Sequence, residues 1–144
     1  MWLYRLFGKS DCGTIVTPKT GVTLLPQTVS TGQLVPGTPV VYHVNLDAGA
    51  IGNTDKVITN KFRVTGAYFI LRTAGVLNTT IQVFNGSNAI TEAMAAGGSD
   101  TAVVQAAVIN DANFEIAAGG TLRVTTATGA TQPGALVVVE GVLV

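Results

Sequence analysis

The chain has a single cysteine, Cys12, in 144 residues, so no disulfide can close within it and a core must hold by packing alone. Thiol reactivity requires a lowered pKa, and Cys12 reads as a small, semi-apolar residue of an N-terminal arm. Charge is scarce as well. Eight basic and eight acidic residues make up 11% of the chain, against about 25% in a typical soluble domain. That even balance leaves no basic footprint for nucleic acid. Apolar residues reach 47%, yet no run approaches the ~18 residues of a membrane-spanning helix. The excess is divided among short Val, Ala and Leu patches, which implies that part of it is buried between subunits.

Reactive chemistry is equally thin. The one histidine, His43, lies on the polar side of "VVYHVNLD" with Asp47 four residues on. At about 3.4 Å per residue, roughly 13 Å separates their Cα atoms, too far for a direct carboxylate–imidazole bond. No nucleophile-elbow motif accompanies the serines. There is no CxxC or HExxH, and "DAGAIGNTD" (47–55) lacks the alternating ligands of a calcium loop. The acidic residues are scattered singly, with no pair placed for glycoside cleavage. The glycine pairs Gly97-Gly98 and Gly119-Gly120 precede no helix carrying Lys-Ser or Lys-Thr, so they read as turns rather than phosphate loops. Lys56, Lys61 and Arg63 form the one local basic cluster, read as a solvated strand face. The expectation is a protein that is not an enzyme, with no catalytic residues, no cofactor and no metal.

What the chain does contain is strands and turns. Residues 8–39 are punctuated by glycine and proline at a density that stops helices and central strands alike. They read as an extended arm, giving an N-terminal arm over 1–39 and a domain over 40–144. Beyond residue 40 a two-residue period takes over. "VVYHVNLD" sets Val40, Tyr42, Val44 and Leu46 against Val41, His43, Asn45 and Asp47, a half-buried antiparallel strand. "KFRVTGAYFILR" (61–72) repeats the pattern. "TTIQVFNGSNAIT" (79–91) reads as a hairpin around Asn85-Gly86, since both turn positions accept positive φ. "TAVVQAAVIN" (101–110), "FEIA" (114–117), "LRVTTA" (122–127) and "ALVVVEGVLV" (135–144) bring the total to about eight strands. Gly119-Gly120 turns the chain between the second and third of these last segments, and "TEAMAA" (91–96) is the one candidate helical turn. Short, evenly spaced strands with Gly/Asn/Asp turns predict an all-β antiparallel sandwich.

Two segments have apolar residues with no place in a single core. In "ALVVVEGVLV", Leu136, Val138, Val142 and Val144 share one face while Val137, Val139 and Leu143 share the other. A strand wetted on one side would alternate cleanly, so the first face is expected to form an oligomer interface. The arm begins "MWLYRLF", with Trp2, Leu3, Leu6 and Phe7, and later carries Leu24 and Leu25. Arg5 interrupts its apolar start and no cleavage-site pattern follows, so it is not expected to be a secretory signal. With only Arg5 and Lys9 to serve a basic face in "MWLYRLFGKSDCG", it is expected to dock on protein rather than on a membrane.

The C-terminal half, "INDANFEIAAGGTLRVTTATGATQPGALVVVEGVLV", resembles the head decoration (cement) proteins of tailed bacteriophages. The resemblance rests on Ile116 to Leu122, where a turn of the type V/I-A-A-G-D/G-x-L precedes a strand, on the Gly/Thr-rich stretch from Gly129 to Gly134, and on the apolar strand Leu136 to Val139. "GAYFILRTAGVLNTTIQVFNG" is similar to the middle strands of those proteins. Gly120 stands where many of them carry an acidic residue. The resemblance implies a jelly-roll domain, often trimeric, that sits on the outer surface of the virion. There it would clamp neighbouring subunits of the major capsid protein without catalysis. The alternative function is a receptor- or glycan-binding head domain of a phage fibre or bacterial surface protein.

Overall fold

The computed structural model describes residues 35–144, so the arm residues Trp2, Leu3, Leu6, Phe7, Leu24 and Leu25, and Cys12, lie outside the described residues. The second of two units along the chain runs over Pro36–Val144. It consists of ten strands: β1 (Pro39–Leu46), β2 (Asn53–Val57), β3 (Phe62–Leu71), β4 (Thr80–Asn85), β5 (Asn88–Ala89), β6 (Met94–Ala95), β7 (Val103–Gln105), β8 (Glu115–Ile116), β9 (Thr121–Ala127) and β10 (Ala135–Leu143). Among the described residues there is no helix.

The strands form two antiparallel sheets. Sheet 1 has the order β1-β10-β3-β7, with β8 also paired to β3; sheet 2 has the order β2-β9-β4-β5, with β6 also paired to β4. β5 and β6 lie along the same neighbour, as do β7 and β8, so eight strand positions are filled, four in each sheet. The chain changes sheet between β1 and β2, β2 and β3, β3 and β4, β6 and β7, β8 and β9, and β9 and β10. This is an antiparallel β-sandwich wired as a jelly roll.

Alternation decides which side of each strand is buried. In β1, Val44 and Leu46 are buried while Val41, His43 and Asn45 are exposed; in β9, Leu122, Val124 and Thr126 are buried between half-exposed neighbours. β3 changes parity partway along. Phe62 and Val64 point inward at even positions, and Ala67, Phe69 and Leu71 at odd ones. The switch occurs where β10 pairs Glu140 with Gly66 but Gly141 with Val64, skipping Thr65. A bulge of one residue resets which face a strand presents. Gly141 sits opposite this bulge because a Cβ there would lie 2.0 Å from the Arg63 carbonyl and 2.7 Å from the Phe62 ring.

The core lies between the sheets. Phe62, Phe69, Leu71, Val137 and Val139 of sheet 1 face Ile81, Val83, Leu122 and Val124 of sheet 2, all fully buried. The Tyr42 ring meets Phe62 edge-on at 4.9 Å, a favoured aromatic geometry. Buried hydroxyls have partners. Thr126 accepts from the Gly52 N–H at 2.9 Å and donates to Gln132 Oε1 at 2.6 Å, and Thr91 accepts from the Val83 N–H at 3.1 Å.

Two expectations need correction. Residues 91–96 contain no helical turn: Met94–Ala95 is β6, and the Thr91 hydroxyl completes the edge of β4 where the strand beside it is broken. The segment 101–110 is a strand only over Val103–Gln105, because the Ala107 and Val108 N–H groups turn aside to donate to the Glu92 carboxylate at 2.8 and 3.2 Å. The Gly119-Gly120 turn connects two strands as expected, carrying the chain from β8 in sheet 1 to β9 in sheet 2. Asn85-Gly86 makes the expected hairpin between β4 and β5, with Gly86 at φ 62°.

Candidate interaction face

Pairing register places side chains on the outside of sheet 1 in rows across the strands. One row runs Asn45, Leu136, Ile70, Val103; the next runs His43, Val138, Tyr68, Gln105; further along, Val41 lies beside Glu140 and Pro39 beside Val142. Cross-strand neighbours of this kind lie ~4.5–5.5 Å apart. The residues expected at an oligomer interface therefore share one outer face with four others that the sequence reading left out: Val41, Tyr68, Ile70 and Val103. Val138 at its centre is only 4% exposed, while Leu136, Val142 and Val144 are half-buried. Towards the margins, Val41 is 51% and Val103 62% exposed. The signal for Tyr68 and Ile70 is the unbroken apolar run Ala67–Leu71 in β3. Like β10, it is apolar on both sides.

Ionic groups gather at the ends of the strands. Glu115 accepts from Arg63 at 2.8 Å and pairs with Lys61 at 3.1 Å, fastening β8 to β3; the Arg63 guanidinium also lies over the Phe114 ring, 5.5 Å from its centre. Hydrogen bonds from Arg63, then Lys61, hold the Glu115 carboxyl below the usual carboxylate range. On sheet 2, Arg123 donates to both oxygens of Asp55 at 2.7 Å, joining β2 to β9. That pairing lowers the Asp55 pKa and raises that of Arg123. Glu92 is also lowered, first by the Ala107 N–H. So Lys61 and Arg63 of the basic cluster share one carboxylate, while Lys56 lies on the other sheet.

His43 is exposed on β1, and Asp47 beyond it is engaged through its carbonyl, which accepts from Gln132 Nε2 at 2.6 Å. Among the described residues, no group of three His, Cys, Asp or Glu side chains is placed to hold a metal ion. The larger open groove, about 710 Å³, is lined by Leu77, Asn78, Thr80, Ala95, Val104 and Thr128. Among the described residues, none with a charged side chain lines it. Asn78 (φ 66°) and Thr128 (φ 69°) both adopt left-handed backbone there, a costly conformation for a β-branched residue. The Thr128 hydroxyl donates to the Asn78 carbonyl and locks the two loops together.

These features define a jelly-roll sandwich with one apolar outer face. Comparison with known proteins finds no matching family model, no curated relative and no similar solved structure.

Proposed function

We propose that the chain is a structural protein of a virion, a capsid decoration or cement protein that is not an enzyme. It associates with further copies and with the major capsid protein on the outer surface of the shell. The observation that carries this reading is the apolar outer face of sheet 1. A sandwich already has a complete core between its sheets, so Leu136, Val138, Ile70, Tyr68 and Val142 are surplus to it. A contiguous apolar face larger than the few hundred Å² usual on a monomer marks a contact surface on a soluble protein. The N-terminal arm supplies the clamp. Trp2, Leu3, Leu6, Phe7, Leu24 and Leu25 are each worth ~1.5–3 kcal/mol when fully buried on a partner, before ordering costs.

The test uses shells assembled from the major capsid protein encoded nearest to this chain's gene. Full-length protein should co-sediment with them at a fixed ratio, and a chain lacking residues 1–34 should keep its fold but stay in the supernatant. Failure of the full-length chain to sediment, or unimpaired binding by the shortened one, contradicts the clamp.

A second reading is favoured by the groove around Asn78 and Thr128. Its neutral lining of amide, hydroxyl and aliphatic groups suits an uncharged glycan, as in the head domain of a fibre. A reproducible hit on a glycan array, lost in Asn78→Ala, would support it over the first.

A further inference from the structure

The two margins of sheet 1 differ. On the β7 side the edge is short, three residues in β7 and two in β8, and such edges resist pairing. On the other side β1 presents eight residues in unbroken register with β10 and, among the described residues, has no neighbour on its outer edge. Its hydrogen-bond phase is fixed at one end, where the Leu143 N–H donates to the Thr38 carbonyl at 3.0 Å. Antiparallel ladders alternate, so Val40, Tyr42, Val44 and Leu46 exchange bonds with β10. The main-chain groups of Val41, His43 and Asn45, and the carbonyl of Pro39, point outward. Natural edges of this length are protected by lysine, inward charge, bulges or central proline. β1 has none of these: no charged side chain occurs between residues 39 and 46, and the one proline is its first residue. The β2 edge, by contrast, is five residues long and carries Asp55 and Lys56.

We infer that the outer edge of β1 pairs with the same edge of a second copy, joining two sandwiches about a two-fold axis into one eight-stranded sheet. The inference rests on the reading that copies associate, and it names where. An antiparallel strand can be its own partner. Two registers keep the outward groups opposite each other: Val41 facing Asn45 with His43 facing its copy, or Val41 facing His43. Each closes about six main-chain hydrogen bonds. With no charge along the strand, neither register sets like charges against each other.

The size is sufficient. A joint about 27 Å long and roughly 20 Å deep, the thickness of two sheets with their side chains, covers ~540 Å² of each copy, or ~1,100 Å² in total. A specific contact needs about 1,000 Å², so a reversible pair is expected. The joint also puts the two apolar faces side by side in one surface and leaves that surface free for the shell. Two copies share this contact, where the family resemblance implies three.

The experiment uses the full-length chain in two forms of measurement. Light scattering should give twice the chain mass for the natural sequence and the single mass for His43→Pro, which removes an outward N–H and no bond to β10. His43→Cys in a Cys12→Ser background keeps the strand intact. In either register its two Cα atoms lie roughly 5.5–8 Å apart, so a short bis-maleimide should link the copies, whereas Val103→Cys at the far margin of sheet 1 should not link. A monomeric or trimeric natural chain, a His43→Pro variant that stays paired, or His43→Cys that links no better than Val103→Cys overturns the joint. Shell binding by a monomer would remove the joint and leave the proposed function standing; a clean dimer that ignores shells would do the reverse.

Discussion

The two sheets of the sandwich are built alike and finished differently. Each has four strand positions, an aliphatic buried face, to which sheet 1 adds Phe62 and Phe69, and a second face turned outward. On sheet 2 the outward rows are mainly polar: Asn53 accepts from the Thr125 hydroxyl at 2.8 Å, Asp55 grips Arg123, and Thr121 and Gln82 fill nearby positions, with Val57 beside Thr121 and Phe84 beside Arg123 as apolar exceptions. On sheet 1 the outward rows are apolar at their centre, Leu136 beside Ile70 and Val138 beside Tyr68, with Asn45, His43 and Gln105 towards the margins. The same pleat thus carries one face that is mainly polar and one that is apolar at its centre. Fold physics requires only the inner faces to be apolar, so the outer face of sheet 1 calls for a different explanation.

The largest effect comes from breaking what the sheets share. Phe69 is fully buried on the inner side of β3, and Phe69→Ala should lower unfolding free energy by about 3–5 kcal/mol in a denaturant titration. A smaller loss is expected at a buried hydroxyl of sheet 2. Thr126→Val removes the acceptor for the Gly52 N–H and the donor to Gln132, at a cost of about 1–3 kcal/mol. If that variant were as stable as the natural chain, the polar bonding ascribed to sheet 2 would be wrong.

The smallest effects belong to the exposed ion pairs. Glu115, Asp55 and Glu92 have lowered pKa values in the folded state, so the unfolded chain binds protons more readily. Their stabilisation is present above the unfolded carboxylate range. It is lost as the pH falls through the lower, folded values, at and below about pH 4. Thermal unfolding between pH 6 and pH 3 should show this decline, shallower in Glu115→Gln and weaker in high salt. A Glu115→Gln curve parallel to that of the natural chain would remove Glu115 from the account.

How far the sequence discloses this difference depends on what holds each element. Strands with one apolar face, such as β1 and β9, announce themselves by alternation, and Asn85-Gly86 marks its hairpin. β2 does not: "NTDKV" has no apolar period, because its place at the edge is fixed by the Asp55–Arg123 pair and its ladder to β9. Residues 101–110 alternate well enough to suggest a long strand, yet Glu92, far along the chain, takes the N–H groups that would continue it. The bulge at Thr65 is likewise invisible without its partner Gly141. Of the outer face, β10 was legible because it is apolar on both sides. Val41 and Val103 were not, because only the register shows that they flank it.

The central claim is that the outer face of sheet 1 is covered by neighbouring protein and that of sheet 2 is not. Its most direct test is one charge placed on each face, Ile70→Lys on sheet 1 and Thr125→Lys on sheet 2, with binding to assembled shells measured by co-sedimentation of the full-length variants. The account predicts that Ile70→Lys abolishes binding while Thr125→Lys binds like the natural chain, both remaining folded. Equal binding by the two variants would contradict it.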